Sequence, residues 1–257
     1  MLPFLASCEK ELDFRYHDVE SPLVIEATLD EKGSDVALIR TTPMDEPMNL
    51  TPITDARVTL TDLTSGAERL LPLRTDGSFG DEIAGETGHA YRIDVEFGGK
   101  TYSSTDVMRA PTEIVGLEFR WINMAVERMA VLQVSFTDSP AGDDNCYWVR
   151  LLRNGEPYKW MVMDSRHATG GVIHSVMMTS PEKEEDADEK NILRDGDIVS
   201  ALVLPVSRDM LDYLMALEED SNGPRMWTGD FCLGYFLAAP VAEASIVYRP
   251  SEIVEFK

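Results

Sequence analysis

The chain has 257 residues, 44% of them apolar, enough to fill two hydrophobic cores of ordinary size, so disorder is not the expectation. Its 46 acidic against 23 basic side chains leave a formal net charge of −23; such a surface repels phosphate, which excludes nucleic acid and anionic headgroups as direct partners and leaves cations, neutral glycans, peptides and basic protein patches. No run approaches the ~20 apolar residues that a membrane-spanning helix requires, so attachment to a membrane has to be covalent or peripheral.

The first element in chain order is a motif. Residues 5–8 read "LASC", the form of a bacterial lipobox: an apolar residue, two small residues, then a cysteine. Small side chains at Ala6 and Ser7 let a peptidase grip extended backbone before the cut, and the Cys8 thiol accepts diacylglyceride as a thioether. Several acyl chains hold a protein firmly, since each buried methylene adds ~0.8 kcal/mol. A complete export signal carries a basic segment and an apolar stretch before the cleavage site; only "MLPFLAS" precedes Cys8, so those parts are expected upstream. The charged run that follows, with His17 in it, has no strand or helix period, and residues 1–19 are expected to be signal end, lipobox and tether.

From residue 22 the dominant period is two. Leu23, Ile25, Ala27 and Leu29 alternate against Val24, Glu26 and Thr28, the pattern of a half-buried strand, and "DVALIRT" repeats it. After a proline-rich loop, "DARVTLTDL" puts Ala56, Val58 and Leu60 on one face. The turns "TSG" and "TDGSF" separate it from "ERLLPLR" and from "HAYRIDVEF", which "GGK" folds back into "TYSS". About seven strands with short turns predict an Ig-like or transthyretin-like β-sandwich over residues 20–110.

"MRAPTEI" at 108–114 reads as a linker into a second β-sandwich, residues 111–257. Its expected strands are "EIVGLEFRW", "MAVLQVSFT", "CYWVRLL", "YKWMVMD", "GGVIHSVMMT" and "GDIVSALVLPV", with "DFCLGYFLAAP" and "ASIVYRPSEI" closing the sheet. One helix interrupts the pattern near 207–220: Ser207 is its N-cap, Met210, Leu211, Leu214 and Leu217 fall at helical spacing, and "SNGP" stops it. The fold class is therefore mainly β, two β-sandwich domains with one short helix in the second, expected to cover one end of that sandwich.

Chemistry-bearing residues are sparse. The tight loop "GDDN" can aim Asp143, Asp144 and Asn145 together as cation ligands, against the alternative of a polar turn capping its own backbone. The acidic run between Glu182 and Glu189 holds six carboxylates, which on a solvated loop seldom converge. Met161, Met163, Met177 and Met178 lie near His174 in sequence, a soft set suited to copper(I) or, as methionine more often does, to core filling. Cys146 and Cys232 have no zinc spacing; they pair in an oxidising compartment or stay as buried thiols. Neither GxSxG nor HExxH is present, and a paired-carboxylate glycosidase leaves no local signature. Trp227, Phe231 and Tyr235, with Phe236, would stack on a sugar or a receptor if exposed and form the core face of the last strands if buried. No cofactor is expected.

The lipobox, "VIEATLDE" soon after it, the module "ARVTLTDL…DGSF…GHAYRIDVEFGGKTYSS", "DDNCYWVRL" and "FCLGYF" together resemble a Bacteroidota-type family of outer-membrane lipoproteins classed as a domain of unknown function. The first module also resembles a carboxypeptidase regulatory-like, transthyretin-like sandwich. The resemblance covers nearly the whole chain and includes no catalytic motif. It implies a non-catalytic, lipid-anchored accessory of the outer membrane, on its surface or periplasmic face, partnered with a TonB-dependent receptor and a small-molecule or glycan ligand. The alternatives are an adhesion or envelope-structural lipoprotein and a surface hydrolase that uses carboxylates.

Overall fold

The computed structural model describes residues 21–42, 50–125, 127–138, 144–168, 171–182 and 189–255. Cys8, His17, Asp143 and most of the acidic run, residues 183–188, lie outside them. The strands are β1 (Leu23–Leu29), β2 (Ser34–Arg40), β3 (Arg57–Asp62), β4 (Glu68–Leu70), β5 (Ala90–Phe97), β6 (Lys100–Val107), β7 (Ile114–Asn123) and β8 (Arg128–Thr137). They continue with β9 (Cys146–Arg153), β10 (Glu156–Asp164), β11 (Val172–Pro181), β12 (Ile198–Val206), then helix α1 (Arg208–Glu218), β13 (Thr228–Gly229), β14 (Leu233–Ala238), β15 (Ala242–Val247) and β16 (Val254–Glu255). The protein is mainly β with one α-helix among the described residues, as the sequence pattern predicts.

Four sheets form two sandwiches. In the first, the sheet β14-β1-β2 faces the sheet β13-β6-β5-β3-β4; in the second, β10-β9-β12-β15 faces β11-β8-β7-β16. The alternation in β1 does what the sequence indicates: Leu23, Ile25, Ala27 and Leu29 are all buried and join Leu38, Leu60, Ile93 and Val95 in the first core. The second core holds Leu132, Val134, Phe136, Tyr147, Val149, Leu151 and Val203.

The chain does not leave the first sandwich for good at residue 110. Strands β13 and β14 come back to it: β13 adds to β6, and β14 runs parallel to β1, in register from Val24 beside Leu233 to Leu29 beside Ala238. "DFCLGYFLAAP" therefore closes the first sandwich, not the second, a correction to the sequence reading. Parallel neighbours cannot be joined by a tight turn, and here the connection from β1 to β14 runs through the rest of the first sandwich, strands β7–β12 of the second and α1.

Side-chain hydrogen bonds between β6 and the returning segment hold it in place. Ser104 Oγ donates to the Met226 carbonyl at 2.6 Å, Thr228 Oγ1 to the Ser103 carbonyl at 3.0 Å, and Asp106 Oδ2 accepts from the Ala238 N–H at 3.0 Å. Gly234 makes the approach possible. Its φ is +94°, and a Cβ there would stand 2.1 Å from the Ile25 carbonyl oxygen, so only glycine lets β14 lie this close to β1.

Because β14 is covered on both faces, its sequence is a nearly unbroken apolar run. Phe236 and Ala238 enter the first core, whereas Leu237, with Ala239 after the strand, points the other way. There they meet Cys146 and Trp148 of β9, Leu204 and Val206 of β12, and Met210, Leu211 and Leu214 of α1. This third apolar cluster is the waist joining the two sandwiches. Helix α1 starts where predicted, with Ser207 Oγ accepting from the Met210 N–H at 3.1 Å. Its buried stripe uses Ala216, while Leu217 is 52% exposed, a second correction to the sequence reading.

Candidate functional site

Beside the waist, aromatic side chains from four elements meet. Trp148 on β9 contacts Trp160 on β10 edge to face, ring centroids 6.3 Å apart, and Tyr235 on β14 in the same manner at 6.1 Å. Tyr235 in turn lies 6.0 Å from Tyr213 on α1. Trp148 is buried, Tyr213 and Tyr235 are partly buried, and Trp160 is 38% exposed, so the cluster opens to solvent at one side. Edge-to-face geometry lets the positive rim of one ring meet the negative face of another, and each such pair adds ~0.5–1.5 kcal/mol beyond area burial.

Two charged groups border the aromatics. The Arg150 guanidinium sits 4.8 Å from the Trp148 ring centre, and Glu26 on β1 is the direct strand neighbour of Tyr235. Neither makes an ion pair or hydrogen bond with another described residue. The Trp148 indole N–H is likewise buried with no acceptor among the described residues. Burial, then the negative charge of Glu26, raise the phenols of Tyr213 and Tyr235 above the usual tyrosine range, which keeps both as neutral hydroxyls at any physiological pH.

The three aromatic residues singled out in the sequence part company. Tyr235 belongs to the waist cluster. Trp227 is buried in the first core, 1% exposed, and cannot contact a ligand. Phe231 is 62% exposed and forms one side of a 440 Å³ cleft at the end of the first sandwich, with Phe97, Arg40 and Lys100 around it. Arg225 lies over the Phe231 ring at 5.9 Å and is held there by its bonds to the Gly229 and Asp230 carbonyls.

Of the cation candidates, Asp143 lies outside the described residues. Asn145 Nδ2 donates to Asp138 Oδ1 at 2.8 Å, Asp144 is exposed, and among the described residues no three His, Cys, Asp or Glu side chains are placed to hold a metal ion. The strand period also separates the soft-ligand set: Met177 points into the second core, while His174 and Met178 face outward, His174 Nδ1 lying 2.8 Å from Ser135 Oγ. Cys146 and Cys232 are separate buried thiols, one in the waist and one in the first core. Burial pushes Cys232 up to about 12 and raises Cys146 as well, leaving both protonated and unreactive.

No protein-family model matches this chain, and no curated protein matches it. Among solved structures, a two fibronectin type-III domain segment from chicken tenascin is similar over 73% of this chain and 92% of that one, at 16% identity and a TM-score of 0.24. A DUF4785 family protein from Legionella pneumophila is similar over 71% of this chain and 52% of that one, at 10% identity and a TM-score of 0.27. The β-sandwich assignment rests on the strand pairing above, not on these loose superpositions.

Of the six residues of this cluster, Tyr235 alone is a binding candidate in the sequence. Trp148, Arg150 and Trp160 already neighbour one another in the β9–β10 pair, and the return of β14 beside β1 adds Tyr235 and Glu26 to them, with Tyr213 on α1 against Tyr235. A signal was present in "CYWVRLL" and "YKWMVMD": both carry tryptophan on the strand face opposite the apolar core positions, where a solvated sheet needs none.

Proposed function

We propose that this protein is a lipid-anchored lipoprotein of the outer membrane that binds rather than catalyses, acting beside a TonB-dependent receptor in nutrient binding or uptake. The observation that carries the reading is "LASC" at residues 5–8, followed by a charged segment that leads into β1. A thioether at Cys8 fixes the chain to a bilayer, and the segment up to Pro22 spans up to roughly 45 Å when extended. The folded body it holds has three chain crossings at a buried apolar waist, a construction suited to presenting a surface at a set geometry. Glu26, Arg150 and the exposed Trp160 indole of the waist cluster offer that body a binding surface.

The test has two parts. With its complete export signal in place, the wild type should partition with membranes into detergent, and Cys8→Ala should appear in the soluble fraction; a variant that still partitions wholly with detergent refutes the anchor. Mild-detergent affinity purification from native outer membranes, with a tag after Lys257, should recover a TonB-dependent receptor in stoichiometric amount. Recovery of the lipoprotein alone, with receptor present in the input, refutes the accessory role.

A further inference from the structure

We propose that the waist cluster is a binding site for a neutral oligosaccharide, built from Trp160, Trp148, Tyr235, Tyr213, Arg150 and Glu26. The inference rests on the binding reading above and names the class of ligand that such a surface takes.

Three properties of the cluster select this chemistry. The first is apolar: sugar rings present patches of C–H that stack on aromatic faces, and Trp160, 38% exposed at the open side, offers one. The second is the set of polar groups left without partners. Arg150 is a donor, Glu26 is an acceptor, and the Tyr235 hydroxyl is both; none has a hydrogen-bond partner among the described residues. A polyol supplies both donors and acceptors, so it satisfies such a mixed set in one binding event, whereas an acidic ligand leaves Glu26 opposed and a cation leaves Arg150 opposed. The third is charge. At a net −23 the protein repels anionic polymers, and the Trp148 face that would attract a cation already carries Arg150 at 4.8 Å.

The arrangement is also more than an interdomain brace. Aromatics that serve only to pack two sandwiches do not require an arginine and a glutamate without counter-ions beside them.

The test is a titration of the full chain with maltoheptaose, cellohexaose, laminarihexaose and mannohexaose, read by tryptophan fluorescence and calorimetry, with polygalacturonate as the charged comparison. At least one neutral oligosaccharide should bind with a Kd of millimolar or tighter and perturb the indole emission. Trp160→Ala and Glu26→Gln alter exposed side chains, and each should weaken that binding by about tenfold with the Tm unchanged. Arg150→Ala should do the same, and serves as the decisive variant should Trp160→Ala lower the Tm. Binding of none of the four, binding that survives all three substitutions, or stronger binding of polygalacturonate overturns the proposal. Receptor co-purification is a separate readout: a receptor recovered without sugar binding refutes this site alone, and sugar binding without a receptor refutes the accessory role alone.

Discussion

Replacing Gly234 with alanine tests the parallel pairing of β14 with β1 directly. Two costs add at this position. The backbone sits at φ +94°, where an L side chain costs about 1–2 kcal/mol. The new Cβ also meets the Ile25 carbonyl oxygen at 2.1 Å and its carbon at 2.7 Å. Real Cβ contacts essentially never fall below 3.0 Å, so the strands must part by about 0.9 Å, the difference between 3.0 and 2.1. Strand β1 cannot yield, because Ile25 and Ala27 are fully buried in the first core. Strand β14 must withdraw instead, stretching two or three ladder hydrogen bonds past useful length at about 1 kcal/mol each. The sum is about 3–5 kcal/mol. Gly66 is the control: its φ is +78°, but nothing lies within 4 Å of its Cβ position, so Gly66→Ala should cost only the backbone part, about 1–2 kcal/mol. Urea unfolding of both variants gives the difference, and hydrogen exchange reports whether amides of β1 lose protection. If the two variants agree within about 0.5 kcal/mol, or β1 keeps its protection in Gly234→Ala, the interlaced topology is wrong.

Three further outcomes are expected. Trp227→Ala should destabilise by about 3–5 kcal/mol through the cavity it leaves in the first core, whereas Trp227→Phe should cost under about 1.5 kcal/mol because it also removes a buried indole N–H with no partner; equal losses in urea melts would show that packing is not what Trp227 supplies. His89 Nδ1 is bonded to Asp62 Oδ2 at 2.8 Å, and that bond raises its pKa above the ordinary 6.5. The stabilisation is full below pH 6.5 and is lost as pH rises through the higher folded value, so the stability gap between wild type and His89→Gln should close between neutral and alkaline pH; a gap that widens there contradicts the pairing. Asp164 accepts from Arg166 and Arg208, which hold its carboxyl down at about 2 and fasten α1 to the end of β10. Its contribution, about 2 kcal/mol, is present above pH 4 and lost as pH falls through 2, so Asp164→Asn should be less stable than wild type at pH 6 and no longer so near pH 2.

The first sandwich was legible where a strand had one wet face. In β1 and β5 the alternation states both the element and its buried side, and Tyr91, Ile93 and Val95 lie inside as the pattern requires. Residues 230–240 were legible as a strand but not as to its partner. A strand covered on both faces loses the period of two, and nothing local records which sheet it joins. The physical trace was Gly234 in the middle of an apolar run, because a glycine inside a strand marks a close backbone approach. Trp227 stays open in the sequence for a similar reason: a tryptophan ahead of a short strand is ambiguous until the core that receives it is known, and the structure buries it. The waist groups were the least legible, since their meaning lies in the contact between elements more than 100 residues apart, Glu26 with Tyr235 and Arg150 with Trp148 beside them.

The return of β14 also sets how the waist can work. Two sandwiches joined by a single linker behave as independent bodies, and a site between them must be ordered each time a ligand arrives. Here the chain crosses the waist three times, at 108–114, between α1 and β13, and at Ala239–Ala242, and nine residues are buried in the cluster between the crossings. Tyr235 rides on a strand bonded to the first sandwich, while Trp148 and Trp160 belong to the second, so their 6 Å ring contacts exist only when both are docked. The crossings hold that docked state before any ligand binds. The entropy of bringing the two aromatic halves together is thus met during folding, and the weak stacking and hydroxyl contacts of a sugar need to offset only the ligand's own loss of freedom.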